Sequence, residues 1–206
     1  MSQNEKNAYV LGLTGSIACG KSTVAGYLKE MGACIIDADA ISRKLTAPGG
    51  VALPAIREAF GDDVFHKDGT LNRASLANAI FTSIENRRRL EGILHPAVQS
   101  ETLREMDEGR ANGAEVIVLD VPLLFETGMD ALCDCVWVIS VDEETQITRV
   151  MQRDGKTRAQ AQERIAAQMP LSEKERHADR VIRTDRPMEE TKKEVAQLYK
   201  ELRKRL

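Results

Sequence analysis

The sequence predicts an α/β fold with a parallel sheet covered by helices on both faces. Short apolar runs recur along the chain at Tyr9 to Thr14, Ala33 to Asp37, Val116 to Asp120 and Cys135 to Ser140, with a shorter one at Val181-Ile182. These runs are continuously apolar rather than alternating, as strands buried on both faces are. Helical patterns lie between them, which points to a parallel arrangement. In such a sheet ligands collect beyond the carboxyl ends of the strands, so the chemistry is expected on the loops leaving those ends.

Taken in order, the first strand ends at a glycine, and the spacing predicts a helix from Lys21 to Met31 stopped by Gly32. Ala33 to Asp37 is the second strand. The stretch from there to Val116 is far longer than a crossover needs and too long for a structureless loop, so it is read as an inserted helical subdomain. Within it Leu90, Ile93, Leu94, Ala97 and Val98 keep a helical spacing, but Pro96 lacks an amide hydrogen and disfavours helix at His95. A break or kink is expected there, and one helix or two are both open. Beyond the fourth strand, Arg149, Arg153, Lys156, Arg158 and Arg164 crowd a span with few large apolar residues. That span, Thr148 to Gln168, reads as an exposed helical flap or as a plain solvated helix with Glu163 among its partners. The last helix runs from about Met188, with Val195, Leu198, Tyr199 and Leu202 on one face. Glu189 and Glu190 early and Arg203, Lys204 and Arg205 late suit its dipole.

A chain of 206 residues accommodates one α/β domain with a sizeable core or a compact core carrying one or two small inserted subdomains, and the second is expected. The 42% hydrophobic and 30% charged content is the balance of a folded protein without a disordered tail. A net charge of −3 argues against general polyanion binding, so no nucleic-acid partner is expected and any nucleotide is held locally. The polar start, Met1 to Asn7, and the short glycine-broken apolar run after it fit neither a signal peptide nor a membrane span, so a cytoplasmic protein without a membrane partner is expected. Cys19, Cys34, Cys133 and Cys135 include no CxxC pair, and the three histidines show no metal-site spacing, so reduced thiols are expected rather than a disulfide framework or zinc site.

Gly15-Ser16-Ile17-Ala18-Cys19-Gly20-Lys21-Ser22 matches the phosphate-loop pattern G-x-x-x-x-G-K-[ST] between an expected strand and an expected helix. Gly15 and Gly20 are expected at positive φ, bringing main-chain amides against phosphate oxygens, and the helix adds its positive end. Lys21 would reach the β and γ phosphates of ATP, Ser22 would ligate Mg²⁺, and Thr23 would lie nearer the α phosphate. Cys19 contributes its amide more than its thiol.

A phosphate loop serves many classes of enzyme. The chain has no N-K-x-D signature and no D-x-x-G after the third strand, which argues against a GTPase switch. The third strand ends Asp120-Val121-Pro122 without an adjacent Asp-Glu pair, so transfer to an organic hydroxyl is favoured over hydrolysis. A kinase for such an acceptor needs a carboxylate beside the nucleophile. Asp37-Ala38-Asp39 offers two, which share one side if the chain is still extended; alternatively one of them caps a helix beginning near Ala40. Arginines in the flap would stabilise the transferring phosphoryl group and exclude water on closing.

Seven features taken together resemble the dephospho-coenzyme A kinase family over essentially the whole chain. They are Leu13 to Thr23, Ile36 to Asp39 with Arg43, Phe60-Gly61 and Asp68 to Arg73, Leu94-His95-Pro96, Val121 to Glu126, Met151 to Asp154, and Ala178 to Ile182. The resemblance implies a P-loop NTPase core like that of nucleoside monophosphate kinases (residues 1–59, 113–147 and 171–206), a helical coenzyme A subdomain (60–112) and a lid (148–170). It further implies ATP as donor, dephospho-coenzyme A as small-molecule acceptor, Mg²⁺, and Asp39 as base for the ribose 3′-hydroxyl. Arg43, Arg73, His95, Pro122, Leu123, Leu124, Phe125 and Glu126 then resemble acceptor-side residues. Arg149, Arg153 and Arg158 are the candidate lid residues and Arg153 the candidate catalytic one, while which of them meets the transferring group stays open. Without the family, His95 reads as a locally packed residue and Leu123 to Phe125 as core, although a partly apolar pantetheine arm could lie on such a turn. Where the family usually has Asn and Gly near the adenine, this chain has Arg183-Thr184-Asp185-Arg186. Rival readings are another nucleoside or nucleotide kinase, or a non-catalytic nucleotide-dependent interaction module.

Overall fold

The computed structural model describes residues 8–206. The chain runs through β1 (Tyr9–Gly15), α1 (Lys21–Glu30) and β2 (Cys34–Asp37), then α2 (Ala38–Leu45), α3 (Leu53–Phe60), α4 (Arg73–Phe81) and α5 (Ile84–Ala111). It continues through β3 (Val116–Asp120), β4 (Cys135–Ser140), α6 (Glu143–Asp154), α7 (Arg158–Ala166), α8 (Leu171–Arg176), β5 (Arg180–Arg183) and α9 (Met188–Arg203). Two compact units divide the described residues, one reaching Asp37 and resuming at Met106–Leu206, the other Ala38–Glu105. No helix among the described residues is long and apolar enough to cross a membrane.

The first unit holds a five-stranded sheet in the order β2-β3-β1-β4-β5, with all pairs parallel. β1 is central. The chain leaves β1 toward β2 and β3 on one side and later reaches β4 and β5 on the other, so the sheet's switch point lies beside the carboxyl end of β1, where a ligand crevice forms. Side chains of β1 alternate between faces. Leu11 and Leu13 share one face with Trp137 and Ile139, packing on Val24 and Leu28 of α1 and on Val195, Tyr199 and Leu202 of α9. Each such fully buried side chain contributes about 1.5–3 kcal/mol. On the other face a Cβ at Gly12 would lie 2.8 Å from the Cys133 Sγ and 2.9 Å from Leu124, so the packing over β1 needs glycine there.

The second unit is helical. Ile41 and Leu45 are buried along α2, and the Asn72 side chain caps α4 by accepting from the Ser75 amide at 3.1 Å. Arg57 lies over the Phe65 ring, 4.2 Å from its centroid. Arg104 and Lys44 both bond Glu101 and hold its carboxyl down to about 2. Of the two alternatives left open at His95, one helix is found rather than two: α5 runs for 28 residues with Pro96 inside. Pro96 orphans the carbonyl of residue i−4, which is Gly92. Gly92, His95 and Pro96 are all exposed, so water can serve that carbonyl, and a glycine tolerates the adjustment of its backbone.

Candidate active site

The phosphate loop leaves β1 at the switch point and enters α1 directly. Gly20 stands at the helix start with φ 90°, and no side chain caps the helix there, leaving its first amides directed at the loop. The expected positive φ at Gly15 is not found. The second left-handed residue of the loop is Ala18, at φ 58°, and Gly15 is needed for space: a Cβ there would stand 2.5 Å from the Cys19 Sγ and 2.6 Å from the Ile139 carbonyl oxygen. Cys19 is buried with its thiol against the loop's own base, and burial pushes that thiol up, away from the reactive thiolate.

Side chains from outside the loop hold its shape. The Thr184 hydroxyl donates to the Cys19 carbonyl at 2.6 Å, and Arg149 donates to both the hydroxyl and the carbonyl of Thr184, at 3.0 and 2.7 Å. The Gln146 amide donates to the Ser16 Oγ and the Ile17 carbonyl, at 2.7 and 2.8 Å, while the Gln168 Oε1 accepts from the Ser16 hydroxyl and the Ile17 amide. Neither Gln146 nor Gln168 was singled out by the sequence, because nothing local to a glutamine marks it as a partner of a distant loop.

Lys21 forms an ion pair with Asp120, the last residue of β3. Asp120 is buried, and its place follows from the register in which it faces Leu13 of β1. In the sequence Asp120 marks only the end of the third strand, and its pairing with Lys21 emerges from the register. The Ser22 hydroxyl, exposed at the first turn of α1, and the Asp120 carboxylate are hard oxygen donors of the kind Mg²⁺ takes together with substrate phosphates.

Two residues beyond Asp120 the chain enters the Pro122–Glu126 turn. Within it Leu124 is buried core, whereas Leu123 is 38% exposed and Phe125 packs its ring against His177, 5.4 Å between centroids. Lys174, also absent from the sequence expectations, is wholly buried and donates to the Pro122 carbonyl at 2.6 Å, with Glu126 2.9 Å away.

The arginine-rich span consists of α6 and α7 joined through Gly155. It is not wholly exposed, since Ile147, Val150 and Ala161 form a small core against which Ile17 and Ala18 of the phosphate loop pack. Arg149 is turned toward Thr184, as described. Arg153 pairs with Asp154 at 2.8 Å, and Arg158 pairs with Glu144 at 2.5 Å. These arginines hold the carboxyls of Asp154 and Glu144 below the usual carboxylate range. The Arg153 and Arg158 guanidiniums are solvent-exposed, and Asp154 keeps Arg164 as a second partner, so Arg153 can exchange partners at little cost.

The helical unit carries the remaining expected residues. Asp39 lies in the first turn of α2 and is exposed, so the premise that the chain stays extended through Ala38 does not hold: the helix begins at Ala38. Asp39 is therefore inside the helix rather than its cap. Arg73 donates to the Thr46 hydroxyl at 2.8 Å, beside the carboxyl end of α2, where Arg43 also lies. His95 is exposed along α5 rather than packed at a break.

Beside the loop a cavity of about 300 Å³ is lined by Gly20, Tyr27, Arg149, Thr184, Arg186 and their neighbours. Thr184 and Arg186 thus border the space next to the phosphate cradle. Arg183 pairs with Asp185 instead.

A family model described as dephospho-CoA kinase matches residues 9–190. A dephospho-CoA kinase of Symbiobacterium thermophilum is 47% identical over 186 residues, covering 90% of this chain and 78% of the relative. Among solved structures, a protein of Thermus thermophilus superposes with a TM-score of 0.82 at 29% identity, covering 95% of this chain and 98% of its own. A dephospho-CoA kinase from Campylobacter jejuni follows with a TM-score of 0.71 at 28% identity, covering 94% and 96%. With the phosphate loop, its lysine and the parallel sheet in place, the match over nearly the full length means that this chain belongs to the dephospho-CoA kinase family.

Proposed function

We propose that the chain transfers the γ-phosphoryl group of ATP to the ribose 3′-hydroxyl of dephospho-coenzyme A, giving coenzyme A and ADP, the last step of coenzyme A biosynthesis. The observation that carries this reading is the phosphate loop, held from outside by Thr184, Gln146 and Gln168 and followed by Lys21, in a chain of this family.

In this reaction the bond from the 3′-oxygen to the γ-phosphorus forms as the bond from that phosphorus to the β-γ bridging oxygen breaks. The hydroxyl proton passes to the Asp39 carboxylate. Loop amides and the first turn of α1 hold the β-phosphate, and Lys21 turns from Asp120 to the phosphate oxygens. Ser22 and Asp120 would hold Mg²⁺, which when bound would neutralise charge on the nucleotide's oxygens. Arg153 leaves its exposed pair with Asp154 to meet the transferring group, and Arg149 and Arg158 order the rest of the lid. Arg43, Arg73, His95 and the Pro122–Glu126 turn bind the acceptor, with Leu123 offering apolar surface to the pantetheine arm. The helices α4 and α5 support the reading of residues 60–112 as the coenzyme A subdomain. We place the activity in the cytoplasm, on the reduced-thiol reading of its scattered cysteines.

ADP release measured with dephospho-coenzyme A and with a panel of nucleosides and nucleotides tests the assignment. Turnover dependent on dephospho-coenzyme A, with a 3′-phosphorylated product, is expected. Faster turnover with a nucleoside or nucleotide would make the chain a different kinase, and ATP binding without transfer to any acceptor would make it an interaction module.

A further inference from the structure

A lysine with no exposed surface is costly to bury, and it persists where its ammonium is fully bonded and its position matters. Lys174 has the first property: its Nζ donates to the Pro122 carbonyl at 2.6 Å and lies 2.9 Å from one carboxylate oxygen of Glu126 and 3.2 Å from the other. The Thr14 hydroxyl at the end of β1 donates to the same Pro122 carbonyl at 3.1 Å. Two donors from different elements therefore fix the turn that begins two residues after Asp120, the partner of Lys21.

Six residues earlier, Gln168 bonds the phosphate loop. Its Oε1 accepts from the Ile17 amide at 2.8 Å and from the Ser16 hydroxyl at 3.0 Å, and Gln146 completes the clamp from α6. Between these ends the Met169 amide points at the Glu126 carboxylate, 3.4 Å away. A single short segment thus grips the phosphate loop with one end and the Pro122–Glu126 turn with the other.

We infer that Gln168–Lys174 is a strap that sets the distance between the phosphate loop and the Pro122–Glu126 turn, with Gln168 and Lys174 as positioning residues for the acceptor. The inference rests on the proposed acceptor-side role of that turn. In-line transfer tolerates little misplacement of the attacking oxygen, so slack in the strap lowers turnover of the acceptor while the loop's own amides still bind ATP.

The test compares wild type, Lys174→Met, Gln168→Ala and the double variant at a temperature where all are folded. The readouts are kcat/KM for dephospho-coenzyme A, Kd for ATP, and hydrogen exchange of the Thr127, Gly128 and Met129 amides. These amides bond back to Leu123, Phe125 and Leu124 and so report on the turn. Each single variant is expected to lose on the order of tenfold to a hundredfold in acceptor kcat/KM, with ATP Kd within about threefold in Lys174→Met and a loss of ATP affinity in Gln168→Ala smaller than its loss in acceptor kcat/KM. The double variant should be no worse than the poorer single, as for two ends of one device. Multiplicative losses, an equal loss of ATP affinity, or unchanged kcat/KM in both singles would overturn the strap. Where Lys174→Met does not fold, Gln168→Ala decides alone: faster exchange at the three turn amides supports the strap, and unchanged exchange refutes it. Wild type that fails to turn over dephospho-coenzyme A defeats the functional reading instead, and the exchange comparison still settles whether the strap exists.

Discussion

Gly15 shows how a single residue can be recognised in the sequence for a reason other than the one that operates. The pattern marked it, but as a site of positive φ; in the folded chain the left-handed positions are Ala18 and Gly20, and Gly15 is required because the Ile139 carbonyl leaves no room for a Cβ. That carbonyl belongs to β4, so the constraint is tertiary and invisible to local reading. We expect Gly15→Ala to destabilise the protein by about 1–3 kcal/mol, the usual cost of overpacking, and to weaken ATP binding as the loop shifts. Calorimetry and nucleotide titration check both effects, and unchanged values would mean the strand pair relaxes freely. Asp120 and Lys174 were missed for a related reason. A carboxylate closing a strand and a lysine on a short helix look ordinary until the register places one beside Lys21 and the packing buries the other.

Among the elements, strands were the most legible, because burial on both faces writes itself as unbroken apolar runs. β5 was read only as Val181-Ile182, since Arg180 and Arg183 are exposed at the sheet's edge and carry no apolar signal. α2 begins before Asp39, and α5 continues past Pro96; in both cases the local rule was outweighed, for α5 because the orphaned carbonyl faces solvent. The α6–α7 pair is stabilised at its ends by side-chain hydrogen bonds. Thr157 and Gln160 form a capping box at the start of α7, so Thr157→Ala should cost about 1 kcal/mol and speed hydrogen exchange within α7 first. Asp142, Glu144 and Asp154 all have carboxyls depressed below their ordinary range, by the Thr145 cap, by Arg158 and by Arg153 respectively. A depressed carboxylate stabilises the folded state above its unfolded pKa, and that stabilisation is lost as pH falls through the folded value. Protection of α6 and α7 against exchange should therefore decline below about pH 4, once exchange rates are corrected for pH. Protection that rises in acid would contradict the assignment of these pairs.

For the molecule as a whole, the parallel sheet and the order of its strands put the loop after β1 at the switch point, and the strands themselves were readable from sequence. The helical insertion after β2 was readable too, from its length, but its end at Met106 was not, because α5 runs across that boundary. Ligand binding to the folded state raises stability by mass action, so Mg·ATP at a hundred times its Kd should add about 2.7 kcal/mol. For a chain of this size that amounts to an increase of about 5–10 °C in Tm. Lys21→Ala should lose most of the shift, and an equal shift in that variant would mean ATP binds elsewhere. In the proposed mechanism the Asp39 carboxylate receives the sugar's proton. The decisive experiment is rapid-quench turnover of Asp39→Asn, with its ATP Kd determined alongside. We expect ATP affinity close to wild type and a rate lower on the order of 10²–10⁴-fold. A rate near that of wild type would show that the hydroxyl loses its proton to another group.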